Sequence, residues 1–206
     1  MTPILKALKR RINPSKPIIV VSGLPRSGTS MMMRMLDAGG LDTVVDGIRE
    51  GDEDNPRGYF ELERVKKLAK DDDKSWLAEA QGKTIKVISF LLKDLPDTFH
   101  YKIVFLNRHL DEVLASQEKM LQRRNEENKT DDEAMKAAFE KHLRDVRALC
   151  RERDEIDILE VRYDQVVADA AGHAVKINAF LGGELDEAAM ATAVESGLYR
   201  NRTTTS

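Results

Sequence analysis

The sequence predicts an α/β fold, a three-layer sandwich around a central and mainly parallel sheet. Short runs rich in Ile, Val, Leu and Phe recur along the chain, at residues 17–22, 84–89, 101–107 and 157–162. These runs are apolar on both faces, which is the pattern of parallel strands covered on each side. Longer stretches of helical periodicity separate them, and such alternation implies helices on both faces with ligand at the carboxyl ends of the strands.

The elements are justified in chain order. Residues 1–16 hold a basic cluster from Lys6 to Arg11 but no long apolar segment or small-residue cleavage site, so a short packed amphipathic segment is expected rather than a leader. The first strand, 17–22, runs into the glycine-punctuated turn G-L-P-R-S-G-T-S at 23–30, and a helix is predicted over 29–37 with its Met and Leu stripe as core. The acidic, turn-rich segment 46–58 reads as a solvated connection or a lid. A helix is predicted over 62–70, strands over 84–89 and 101–107, and a helix over 110–124. The charged stretch 123–132 lacks apolar anchors and reads as a second loose connection. Helices at 132–151, 163–181 with a break near Gly172, and 186–196 complete the pattern around the strand at 157–162, with 203–206 a frayed tail.

At 206 residues the chain is expected to form one domain over 1–206. Its apolar runs fall well short of the roughly 20 residues that span a bilayer. The single cysteine, Cys150, cannot close an internal disulfide, which favours a reducing cytoplasm. A net charge of −3 argues against a general nucleic-acid binder.

The turn at 23–30 is a phosphate cradle of unusual composition. In the nucleotide-triphosphate pattern G-x-x-x-x-G-K-[ST], backbone N–H groups wrap the phosphates, a lysine reaches the outer ones and a hydroxyl holds magnesium. Here the lysine position is Thr29 and the cation stands three residues earlier, at Arg26. The loop geometry still presents a helix N-terminus to an anion. Fold class is therefore P-loop NTPase-like, without the usual tool for polyphosphate and metal.

Pro25, Arg26, Ser27, Gly28, Thr29 and Ser30 match, without a gap, the pattern Pro-[Lys/Arg]-Ser-Gly-Thr-[Thr/Ser] of sulfotransferases that use 3'-phosphoadenosine 5'-phosphosulfate (PAPS). Arg108, Asp111 and Ser116 resemble the same family's 3'-phosphate site, an Arg at a strand end with a Ser eight residues on and usually an Asp three after the Arg. An arginine forks onto phosphate through paired N–H donors, and a serine two helical turns along returns to the same side. The stretch 159–182 is similar to the family's late strand and helix, with Tyr163, Asp164, Asp169, Phe180, Leu181 and Gly182 in step.

The resemblance, which runs from Ile18 to about Gly182, implies transfer of a sulfuryl group from PAPS to a hydroxyl or amine acceptor, with no metal required. Arg26, Ser27, Gly28, Thr29 and Ser30 would hold the 5'-phosphosulfate, and Arg108 with Ser116 the 3'-phosphate. Lys86 would point toward the sulfonate, and Arg200 and Arg202 in the C-terminal segment would reach the nucleotide. The acceptor's base is assigned to Glu53 or Glu61, with Asp54, Glu63, His100 and His109 as alternatives. A chain this compact suggests a large acceptor in an open cleft, or a homo-oligomer that completes the site. Two other readings stay open: a P-loop nucleotide or small-molecule kinase, which leaves Thr29 unexplained, and a non-catalytic nucleotide-binding relative.

Overall fold

The computed structural model describes residues 16–46, 60–123 and 131–194. Four strands form one sheet in the order β2-β1-β3-β4, every neighbouring pair parallel. They are β1 (Ile18–Gly23), β2 (Thr84–Lys86), β3 (Tyr101–Asn107) and β4 (Ile156–Arg162). Helices α1 (Thr29–Ala38), α2 (Glu63–Lys66), α3 (Leu110–Arg123), α4 (Asp132–Glu152), α5 (Tyr163–Ala168), α6 (Ala170–Leu181) and α7 (Glu187–Thr192) complete the described elements, with two 3₁₀ segments at Ser75–Ala80 and Ser89–Asp94. The three-layer α/β architecture expected from the sequence is thus present.

Side-chain alternation in β1 shows how the layers form. Ile18 and Val20 face one way and join Ile85, Ile103, Phe105, Val146 and Cys150, so α4 covers that face. Ile19 and Val21 face the other way and join Val104, Leu106, Met32, Met35, Val166, Ile177 and Met190, so α1 and α5 to α7 cover the second. All six residues of β1 are buried, as a central strand covered on both faces requires. At about 1.5–3 kcal/mol for each large apolar side chain fully removed from water, these two clusters supply the main favourable term in folding.

The sequence expectations differ from the structure at element ends and in the connections. Strand β2 stops at Lys86, short of the expected Ser89, where a 3₁₀ segment begins. The helix expected over 62–70 shrinks to Glu63–Lys66, since only Leu62, Val65 and Leu68 find the core. The break expected near Gly172 in the 163–181 helix falls at Asp169, because the Asp169 carboxylate accepts from the Gly172 N–H and caps a new helix. Cys150 lies buried on α4, and burial pushes its thiol up to about 11. No described helix is long and apolar enough to cross a membrane. The basic segment 1–15, most of the acidic connection, most of the charged connection and the tail fall outside the described residues.

Strand order fixes where a ligand can sit. From β1 the chain goes to β2 on one side and then to β3 on the other, so the direction of winding reverses between β1 and β3. Connections leave in opposite directions there and open a crevice at the strands' carboxyl ends. The two segments beside that crevice are 24–28, which follows β1, and Arg108, which follows β3.

Candidate anion-binding site

The turn after β1 needs two left-handed residues. Arg26 has φ 69° and Gly28 has φ 100°, which reverses the chain into α1 at Thr29. Glycine meets this requirement without Cβ strain, whereas an arginine held there costs on the order of 1–2 kcal/mol. Gly28 also packs against the first residue of α5: a Cβ there would lie 2.7 Å from Tyr163 Cε2 and closer still to Cδ2. The first-turn N–H groups of α1 have no intrahelical acceptor, as in any helix. Ser27 is buried with its Oγ unpartnered, and Thr29 is buried beside it.

Arg26 and Ser116, ninety positions apart in the chain, are in direct contact, with Arg26 Nε donating to Ser116 Oγ at 3.0 Å. Arg108 Nη1 donates to the Arg26 carbonyl at 3.1 Å. Its Nε donates to Glu112 Oε2 at 2.9 Å, and its guanidinium carbon stands 4.7 Å from the centre of the Tyr163 ring. Burial raises the Tyr163 phenol's pKa, while the positive charges of Arg108 and Arg34 oppose the shift. On β2, Lys86 Nζ donates to Ser30 Oγ at 3.3 Å, adding a third cation beside the turn. Among the described residues, therefore, Arg26, Ser27, Gly28, Thr29, Ser30, Lys86, Arg108 and Ser116 converge at the switch point.

Other expectations fare differently. Asp111 does not join Arg108 and Ser116: it points outward and takes Lys136 of α4 at 2.6 Å, because it sits a quarter-turn round from the buried face of α3. The residue that pairs with Arg108 is Glu112, which sequence reasoning passed over; its signal was a carboxylate in the first turn of the helix that follows the strand-end arginine, four residues on. Glu61 forms an ion pair with Lys66 at 3.0 Å, and Lys66 also binds Glu63. His100 lies at the amino edge of the sheet, where its carbonyl accepts from Ile18 N–H, a full strand length from the turn. His109 is exposed, next to Arg108, with Nε2 3.2 Å from Arg162 Nη2. Glu53, Asp54, Arg200 and Arg202 fall outside the described residues. No group of three His, Cys, Asp or Glu among the described residues is arranged to hold a metal ion.

A parallel α/β sheet with a glycine-punctuated strand-to-helix turn at its switch point defines a three-layer fold of the P-loop-like kind. A family model described as "Sulfotransferase family" matches residues 59–187, and the chain is a member of that family. The match begins after the phosphate turn and takes in Lys86, Arg108, Glu112 and Ser116. Among solved structures, the sulfotransferase domain of the olefin synthase from Synechococcus PCC 7002 superposes with a TM-score of 0.52 at 18% identity, covering 87% of this chain and 78% of that one. That likeness is one of fold. No curated protein matches the sequence.

Proposed function

We propose that the protein transfers a sulfuryl group from PAPS to a hydroxyl or amine acceptor. The observation that carries the reading is the contact of Arg26 with both Arg108 and Ser116, which joins two anion-binding segments 82 and 90 positions apart at one crevice. A donor bearing a 5'-phosphosulfate and a 3'-phosphate needs two such pockets on either side of one nucleoside. ATP has no 3'-phosphate, so the kinase alternative gives Arg108 and Ser116 no task, and it meets Thr29 where its lysine belongs.

The residues present fit the donor. An unpartnered buried hydroxyl on Ser27 and a Cβ-free approach at Gly28 suit close contact with phosphate oxygens. In the reaction the bond from sulfur to the bridging phosphate oxygen breaks, a bond from sulfur to the acceptor oxygen or nitrogen forms, and the acceptor's proton leaves to a base. Negative charge grows on the bridging oxygen. Arg26, the turn's N–H groups and the hydroxyls of Ser27, Thr29 and Ser30 are the donors for it, and removing one preorganised donor of this type costs on the order of 100- to 1000-fold in rate. Lys86, held on Ser30, serves the transferring sulfonate. The base is Glu53 or Glu61, and Arg200 and Arg202 close on the nucleotide. The whole chain acts as one domain in the cytoplasm, its acceptor is large or is enclosed by a second subunit, and no metal is required.

Thermal shift with 3'-phosphoadenosine 5'-phosphate against ATP and magnesium tests the donor class. Stabilisation by the first and not the second is expected, and the reverse would overturn it. Transfer of label from PAPS, undiminished by a chelator, is the result expected of an enzyme; a strict magnesium requirement would refute the mechanism.

A further inference from the structure

We infer that Glu112 is a positioning residue for the donor's 3'-phosphate, acting through Arg108. The inference rests on the donor reading above. Arg108 and Glu112 are nearly enclosed, with side chains 9% and 2% exposed. Removing two charges from water this far is costly and is often no gain over apolar packing, so stability alone is a poor reason for the pair to be there. What the pair does provide is orientation. The guanidinium is gripped on three sides: Nε by the Glu112 carboxylate, Nη1 by the Arg26 carbonyl, and its flat face by the Tyr163 ring.

An arginine so held has one orientation in place of the several a strand-end side chain would sample. A planar fork can bind phosphate through paired N–H groups only when its plane is set, so fixing the plane in advance removes an entropy cost from binding. Glu112 is the one of the three holds that carries charge and belongs to neither the turn nor α5. Glu112 stands one helical turn before Ser116 on the buried side of α3, and from there it reaches back to Arg108 at the end of β3.

The test compares dissociation constants for 3'-phosphoadenosine 5'-phosphate and for adenosine 5'-monophosphate, which lacks the 3'-phosphate, in wild type, Glu112→Ala and Glu112→Gln. At metal sites, losing the outer partner that orients a ligating side chain typically costs about 10- to 100-fold in affinity, and the same kind of indirect loss sets the scale here. That loss is expected for the bisphosphate in Glu112→Ala, with the monophosphate within about threefold of wild type and the isosteric Gln variant intermediate. If the Ala variant does not fold, the Gln variant carries the comparison. Equal losses for both nucleotides would make Glu112 merely structural, and tighter bisphosphate binding would make it a competitor of the phosphate; either result overturns the inference. A wild type that does not prefer the bisphosphate would instead sink the donor assignment.

Discussion

Replacing Gly28 by alanine isolates the packing at the mouth of the site. Two costs arise, and a control separates them. The first is the left-handed backbone: φ is 100° at Gly28, and a Cβ in that region costs about 1–2 kcal/mol. The second is steric, because the new Cβ meets the Tyr163 ring, 2.7 Å from Cε2. That ring is 5% exposed and has the Arg108 guanidinium over it, so it cannot retreat without moving the cation. Overpacking of this sort costs typically 1–3 kcal/mol, giving roughly 2–5 kcal/mol in all. Gly40 has a similar φ of 91° but nothing within 4 Å of its would-be Cβ, so Gly40→Ala bears the backbone term alone. Denaturant unfolding should therefore place Gly28→Ala about 1–3 kcal/mol below Gly40→Ala, a gap of roughly 2–12 °C in Tm for a domain of this size. Two variants equal within about 0.5 kcal/mol, the ordinary range of surface substitutions, would refute the contact between the turn and Tyr163.

Arg26→Ala should leave Tm nearly unchanged, since the side chain is half-buried, while transfer from labelled PAPS falls by on the order of 100- to 1000-fold. Arg108→Ala should both weaken donor binding and lower stability, because it deprives the buried Glu112 carboxylate of its charged partner; about 3–5 kcal/mol is expected from denaturant titration. Cys150, 2% exposed, should react with a thiol reagent only at the rate of unfolding. Its thiol ionises near pH 9 when unfolded and about 11 when folded, so its contribution to stability is complete below pH 9 and is lost as pH rises toward 11. Cys150→Ala should flatten that part of the alkaline decline, which a melting series from pH 8 to 11 would measure.

The layers were legible because a buried parallel strand has no polar face to hide: Ile18 to Val21 and Ile103 to Leu106 are apolar without interruption, and both turned out central. The turn at 23–30 was legible as a turn because Gly23 and Gly28 punctuate it between an apolar run and a helix that opens on Thr29 and Ser30. Asp111 misled because adjacent carboxylates on a helix differ by about 100° in direction, and a spacing match does not say which of 111 and 112 faces inward. Packing decides that: Glu112, Val113 and Ser116 share the buried face of α3, while Asp111 meets solvent and Lys136. The 3₁₀ segments at 75–80 and 89–94 were not legible, since one turn of helix carries too few residues to show a period.

A consequence follows for how activity losses at this site are to be read. Arg108 is at once the proposed phosphate ligand, the partner of a buried carboxylate and a prop for the Arg26 carbonyl, so its removal changes binding, folding and the geometry of the turn together. Residues that touch one another do not contribute additively. Pairing Arg108→Ala with Glu112→Ala resolves the ambiguity for stability, because it also removes the buried carboxylate that the Arg108 guanidinium offsets; the double variant should be more stable than Arg108→Ala alone. Donor affinity, by contrast, should stay low in the double variant, since restoring charge balance does not restore the fork. If both quantities recover together, Arg108 supports the fold and the 3'-phosphate must be held elsewhere.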